Sequence, residues 1–316
     1  MLAVFFDGKL ELKEVPDPVP GPGEALIRVL LAGICGTDLE LLAGYKSFRG
    51  IPGHEMVGVV EEAPDSSWIG ARVVSEINIA CGECALCNEG LGRHCEKRQV
   101  LGIAGRPGAF AEWMTVPLDN LHRVPDSLTD PEAVWTEPLA AALAVMEAGI
   151  QSGDRALVLG DGKLGALIAL GLGLRGVQVD LVGRNEAKLR LLDQVGVKVK
   201  SDKPRPVYPF VVEATGSARG VEEALAWTKP RATIVLKSTC HERSQVNVSG
   251  IVVNEIRLVG SRCGDFPPAI EALASGALPV ARLISKSFPL AKADEAIAEA
   301  QKPGVFKILL DSRYRD

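Results

Sequence analysis

The sequence contains no long basic run, and its formal net charge is -5, so no surface is offered to a polyanion and no nucleic-acid partner is expected. Its longest apolar stretch, at residues 166–174, is interrupted by glycine and too short to cross a bilayer, so no membrane partner is expected either. Residues 1–7 have no basic residue ahead of their apolar ones and reach an acid at Asp7. That pattern is not a signal peptide, and a cytoplasmic protein is expected. Asparagine and glutamine are sparse, which points to a heat-tolerant source. The seven cysteines are an odd number, and five of them lie between Cys35 and Cys95. Such clustering favours metal binding over disulfides, with Cys240 and Cys263 left as buried thiols.

A chain of 316 residues, 47% hydrophobic and 24% charged, has the composition of a soluble globular protein with room for two cores. The first third alternates short apolar runs with turn chemistry. Residues 10–15 and 25–30 read as strands on either side of the Pro/Gly-rich segment 16–23, and residues 56–61, 71–75 and parts of 102–125 repeat the texture. A mostly β domain with functional residues on its loops is expected. Thr129-Asp130-Pro131-Glu132 then carries the capping residue and early acids of a helix start. An alanine-rich helical run should continue to residue 146, bent or restarted at Pro138.

The texture changes again at residues 156–159, an apolar strand followed by Gly160-Asp161-Gly162-Lys163-Leu164-Gly165 and an apolar helix at 166–174. A GxGxxG pattern means little alone; between a strand and a helix it marks a loop whose free N–H groups can hold a pyrophosphate. Strands at 177–182, 210–214, 233–236 and 256–260 alternate with helices at 187–195 and 220–227, the pattern of a parallel doubly wound sheet. Helices at 268–275 and 293–300, an extended segment at 287–290 and a strand at 306–310 complete the chain.

Two groups of residues have the chemistry of metal sites. Cys35-Gly36-Thr37-Asp38 and Gly53-His54-Glu55 supply a thiolate, an imidazole and a flanking carboxylate, a donor set suited to zinc. Cys81, Cys84, Cys87 and Cys95 supply four thiolates with two, two and seven residues between them, the spacing of a closed structural zinc site. Arg93, Lys97 and Arg98 lie close enough in sequence to offset the excess negative charge of four thiolates on one Zn²⁺. With the nucleotide loop, these groups indicate a metal-dependent redox enzyme.

In this order, the motifs resemble those of the zinc-dependent medium-chain dehydrogenases and reductases, the alcohol, sorbitol and threonine dehydrogenase group, over essentially the whole chain. The resemblance is carried by Gly33-Ile34-Cys35-Gly36-Thr37-Asp38, Gly53-His54-Glu55, the four-cysteine lobe and Thr136-Glu137-Pro138-Leu139-Ala140. Gly160 to Gly165, Val212-Glu213-Ala214-Thr215-Gly216 and the C-terminal strand extend it. It implies an α/β protein in which a GroES-like, β-rich catalytic domain (1–138 with 263–316, zinc lobe 81–95) encloses a Rossmann nucleotide-binding domain (139–262).

The resemblance further implies two zinc ions. Cys35, His54 and Glu137 would hold the catalytic one, Glu55 could exchange onto it, and Asp38 would orient His54. Thr37 would take the alcohol proton. Many relatives carry a histidine five residues after the zinc cysteine; Glu40 stands there, so either Glu40 relays the proton or it leaves by another route. Gly160, Gly162, Lys163, Leu164, Gly165, Gly183, Arg184, Asn185, Thr215 and Gly216 would meet the nucleotide. Counting from Gly160 would choose Asp180 as the ribose acid, but Leu181 and Val182 continue the strand, and Gly183 holds the acid's place. NADP is therefore favoured over NAD, with Arg184 on the phosphate.

The implied reaction is hydride transfer between NADP(H) and a polyol, sugar or secondary alcohol ionised on zinc. Tyr45, Phe48, Phe110 and Trp135 are candidate walls around that small alcohol or carbonyl substrate. An NAD-dependent threonine or polyol dehydrogenase and a noncatalytic nucleotide-binding protein are the alternatives. A quinone-reductase-like enzyme would lack Cys35, His54 and Glu137. Relatives form dimers or tetramers, so a homodimer or homotetramer is expected.

Overall fold

The computed structural model describes residues 1–200, 207–239 and 243–314, which leaves Cys240 outside the described residues. The chain divides into two compact units, Met1–Glu137 with Val280–Asp316, and Pro138–Pro279. The return to the first unit comes at Val280, later than the expected residue 263. Residues just beyond 260 are bound within the second unit: a Cβ on Gly264 would strike the Ala140 carbonyl, and Lys237 Nζ donates to the carbonyl oxygens of Ala141 (2.7 Å) and Arg262 (2.5 Å). Helix Phe266–Ala274 accordingly falls in the second unit.

The first unit is built on a seven-stranded sheet. Its path runs Leu121–Arg123, Arg72–Ser75, Glu55–Glu62, Glu24–Gly33, Lys307–Asp311, Ile284–Pro289, with Trp113–Pro117 also paired to Glu24–Gly33. Strand Glu24–Gly33 alternates in burial at its start and is wholly buried over its last five residues, so it passes from the rim of the sheet into the core. Its antiparallel register sets Gly33 opposite both Glu55 and Leu309. Three distant stretches of chain, ending or beginning beside Cys35, His54 and Lys307, are thus brought to one place by sheet pairing alone.

The second unit contains a five-stranded parallel sheet in the order Gln178–Val182, Arg155–Leu159, Tyr208–Glu213, Thr228–Leu236, Arg257–Gly260. The chain reverses its direction of progress between the first and third of its strands, and ligands of such sheets bind outside the strand ends at that point. Helix Lys163–Leu174 is buried at every residue from Gly165 to Leu172, which explains its lack of a polar face. On the other side Leu157, Leu159, Tyr208, Val211 and Ile234 form a continuous core. Among the described residues no helix is long and apolar enough to cross a membrane.

One local expectation changes. The alanine-rich run from residue 129 is three pieces, Asp130–Ala133, Thr136–Leu143 and a 3-10 stretch Ala144–Ala148 ending at Gly149 with φ +95°. Pro138, which has no N–H to donate, sits within the first turn of the restarted helix, where none is needed. Cys35 lies in the two-residue connection after strand Glu24–Gly33 and is the N-cap of helix Gly36–Leu42, which carries Thr37, Asp38 and Glu40.

Asp180 is buried in mid-strand, its Oδ2 accepting from Arg155 (2.8 Å) and from the Tyr208 hydroxyl (2.8 Å). Burial alone would raise its pKa, but these hydrogen bonds and the Lys198 ammonium hold the carboxyl below its ordinary value. Burial and the neighbouring Asp180 push the Tyr208 hydroxyl up to about 12. A depressed carboxyl adds stability that is present above its unfolded pKa of about 3.9 and lost as pH falls through the folded value. Asp180→Asn should lower the urea-unfolding free energy at pH 7 by about 1–3 kcal/mol. The gap should narrow as the titration is repeated toward pH 3.5; a pH-independent gap would show that charge is not its source.

Candidate functional site

At the end of strand Glu24–Gly33 the chain turns into a short helix with Cys35 as its N-cap. The thiol faces the Asp38 N–H, and Asp38 in return accepts the Cys35 N–H at Oδ2 (2.7 Å), a reciprocal cap of the kind Ser and Glu make elsewhere. Asp38 is 0% exposed, and its other oxygen accepts the Gly53 N–H (3.2 Å). Gly53 has φ +98°, and a Cβ there would overlap the Phe110 ring, so only glycine lets this segment lie against the helix. His54 follows at once, with Nδ1 3.2 Å from Asp38 Oδ1 but not aligned for a hydrogen bond.

Ligand atoms of Cys35, His54 and Glu55 all lie within 4.8 Å of one another. Burial would push the His54 imidazole down, yet the Asp38 carboxylate and the Cys35 thiol beside it raise its pKa well above the ordinary value. Anions that favour a proton on a buried imidazole equally favour a divalent cation beside it. With a sulfur, nitrogen and oxygen donor set meeting in one buried place, the residues fit zinc. Thr37 Oγ1 is 3.9 Å from Cys35 Sγ.

Glu55, 1% exposed, forms a short ion pair with Lys307, which is 0% exposed and lies 4.7 Å from the centre of the Trp135 ring. Gly33 makes the room, since a Cβ there would overlap the Glu55 carboxylate and Val134. Lys307 escaped the sequence reading, although a lysine opening the apolar run Ile308-Leu309-Leu310 is a visible anomaly. Glu137, half-buried in the first turn of helix Thr136–Leu143, is not among the three clustered ligands, and Glu40 is exposed on helix Gly36–Leu42. Phe110 and Trp135 are wholly buried core residues, whereas Tyr45 and Phe48 are half-buried, with Phe48 stacked on Phe6 at 6.5 Å.

The four cysteines of the lobe converge. Their sulfurs are 3.4 Å (Cys84 to Cys87), 3.5 Å (Cys95 to Cys81), 3.8 Å (Cys84 to Cys95) and 4.0 Å (Cys81 to Cys87) apart. A tetrahedron with Zn–S bonds of about 2.3 Å has edges of about 3.8 Å, so the thiols already describe the polyhedron. Backbone N–H groups aimed at its sulfur, led by that of Cys87, draw the Cys84 thiol down to about 6, while burial and the Cys84 sulfur push Cys87 up to about 11. Lys97 pairs with Glu83 (2.8 Å), and Arg98 donates to the Cys95 carbonyl (3.2 Å), so both are tied to the lobe. Cys263 is half-buried and belongs to neither cluster.

In the second unit the glycine-rich loop is closely fitted. A Cβ on Gly160 would strike the Ala214 carbonyl and one on Gly165 the Gly160 carbonyl, while Gly162, the N-cap of helix Lys163–Leu174, faces open space. That is a close-fitting cradle at a helix start, and it fits a pyrophosphate. Thr215 and Gly216 are held by a network the sequence did not single out. Glu213 Oε1 accepts from Thr215 N–H (2.8 Å), Thr215 Oγ1 (2.6 Å) and Ser238 Oγ (2.8 Å), and Ser238 Oγ accepts from Gly216 N–H (2.8 Å). Gly183 ends the second strand, and the Arg184 guanidinium, expected on a phosphate, pairs with Glu223 (2.5 Å).

The buried ion pair supplies a test of how the first unit is closed. Lys307→Met strands a carboxylate in the core and should cost about 3–5 kcal/mol in urea unfolding. Adding Glu55→Gln should recover most of that loss, and equal losses in the single and double variants would rule out charge pairing as the cause.

Known proteins share this fold. Residues 21–126 match the alcohol dehydrogenase GroES-like domain. D-altritol 5-dehydrogenase of Agrobacterium fabrum is 32% identical over 90% of this chain and 91% of its own length. An alcohol dehydrogenase of Escherichia coli CFT073 solved with NADH superposes with a TM-score of 0.91 at 28% identity, covering 98% of this chain and 99% of that one. A putative zinc-binding dehydrogenase of Sinorhizobium meliloti solved with NADP superposes at 0.90 with 30% identity, covering 98% of each. The chain is thus a member of the medium-chain dehydrogenase/reductase family, among its alcohol and polyol dehydrogenases.

Proposed function

We propose that this protein is a zinc-dependent oxidoreductase that transfers hydride between an alcohol and a nicotinamide dinucleotide. The observation that carries the reading is the buried meeting of Cys35, His54 and Glu55 within 4.8 Å, beside Thr37 and Asp38. Zinc, when bound, supplies the Lewis acidity that makes an alcohol hydroxyl acidic near neutral pH.

The protein's own residues do the rest. Asp38 holds the Cys35 and Gly53 backbones in register and keeps His54 facing the thiol. Glu137 is the third protein ligand in this reading, and Glu55, paired with Lys307 and clustered with Cys35 and His54, is the carboxylate that can exchange onto the metal. Thr37 Oγ accepts the alcohol proton as its own hydroxyl proton passes on, and Glu40, exposed on the same helix, is a titratable group that can receive it. A bound nicotinamide would supply the hydride acceptor for oxidation of the alcohol carbon to a carbonyl. Gly160, Gly162, Lys163, Leu164 and Gly165 receive the pyrophosphate, with Thr215 and Gly216 at the neighbouring strand end. The similarity to a D-altritol dehydrogenase supports a polyol, sugar or secondary alcohol as substrate. With no acid at Gly183, NADP is admitted beside NAD. The Cys81, Cys84, Cys87 and Cys95 lobe takes a second, structural zinc, and the assembly is a homodimer or homotetramer.

Metal analysis of the purified protein should return about two zinc ions per chain. Cys35→Ser should lower this to about one and abolish cofactor reduction across a panel of polyols, aldoses, secondary and primary alcohols. Undiminished zinc and turnover would refute the assignment. Glu137→Ala should lose the same ion, whereas Glu55→Gln should keep it; the reverse pattern would exchange the two carboxylates' roles.

A further inference from the structure

In a nucleotide-binding βαβ unit the adenosine ribose is read by an acid at the end of the second strand. Here that strand ends at Val182, and the next residue, Gly183, has no side chain. The space is nevertheless filled. A Cβ built on Gly183 would overlap the side chain of Asp161, which comes across from inside the glycine-rich loop. Asp161 Oδ2 accepts the backbone N–H of Arg184 (2.6 Å) and of Asn185 (2.6 Å), while Oδ1 lies outside both bonds. Asn185 in turn caps helix Glu186–Gln194 through Lys188 N–H (3.1 Å). The carboxylate is therefore fixed over the strand end by two amides, half-exposed, and among the described residues no cationic side chain takes part in its hydrogen bonds.

We propose that Asp161 supplies the carboxylate that accepts the adenosine ribose hydroxyls in place of an acid at position 183, and that the protein accordingly prefers NAD(H) to NADP(H). Resting on the nucleotide-binding reading above, this assignment reverses the NADP preference that Gly183 and Arg184 suggest on their own. A hydroxyl can donate to a fixed carboxylate; a 2′-phosphate in the same place brings a second anion against it. Arg184, the cation expected to receive that phosphate, is turned to Glu223. Gly183 is required by this arrangement, because any side chain there would displace Asp161.

The test is direct binding of NADH and NADPH, followed by nicotinamide fluorescence, in the zinc-loaded full chain. Wild type should bind NADH about 10-fold or more tightly than NADPH, the scale of one charged hydrogen bond. Asp161→Asn keeps an acceptor for the two amides and removes the charge, so it should bring the two affinities to within about 3-fold without shifting thermal unfolding. Joining Asp161→Gly to Gly183→Asp returns a carboxylate to the strand end and should restore the preference for NADH. Tighter binding of NADPH by wild type, or an unchanged ratio in Asp161→Asn, overturns the assignment while leaving the protein a nicotinamide-binding one. Failure of wild type to bind either nucleotide overturns both readings.

Discussion

Everything in the first unit's site hangs on one buried carboxylate. Asp38 accepts the N–H of Cys35 on one side and of Gly53 on the other, tying together the two backbone segments that lie just outside the paired ends of strands Glu24–Gly33 and Glu55–Glu62. A carboxylate buried to 0% exposure costs several kcal/mol unless its oxygens are satisfied, so the two amides and the nearby imidazole must all be in place for it to be tolerated there. That makes Asp38 a geometric constraint as well as an electrostatic one. It presents the thiol at a helix N-terminus and aims the histidine at it.

The second constraint works from the opposite end of the chain. Strand Lys307–Asp311 is wholly buried, and its first residue is a lysine whose ammonium meets Glu55 under the Trp135 ring. Such a pair contributes little net stability compared with apolar residues of the same shape, but neither member can stay without the other. The antiparallel register that sets Gly33 opposite both Glu55 and Leu309 is the backbone expression of the same closure. A segment some 250 residues from His54 in sequence thereby belongs to its surroundings.

Much of this was legible in the sequence, and the reason is periodicity and chemistry of short range. The strand from 155, the glycines that follow and the buried helix after them are local patterns: the strand starts one residue and the helix three residues before the expected place, and both end where expected. The four-cysteine lobe was legible because thiolate spacing is itself the folding code of such a loop. What escaped depends on pairing between distant segments. Lys307 meets Glu55 only through sheet register, and Phe110 and Trp135, plausible as substrate walls by composition, prove to be core because the chain closes over them. The long alanine-rich helix failed for a local reason that was half seen: Pro138 restarts it, and the 3-10 stretch before Gly149 ends it early.

Three carboxylates of the second unit show why a sequence motif for ribose recognition is hard to read by counting. Asp180 lies at the counted distance, but it is buried and its charge is cancelled by Arg155. Glu213 ends an apolar strand and is equally buried, its charge spread over an amide and two hydroxyls that fix Thr215 and Ser238. Asp161 alone is half-exposed, and its hydrogen bonds come from backbone amides, which orient a carboxylate without neutralising it. A group that must read a ligand by charge has to be held by dipoles rather than by a counter-ion, since a counter-ion would spend the charge on the protein itself. Position along the chain does not carry that distinction; the identity of the hydrogen-bond partners does.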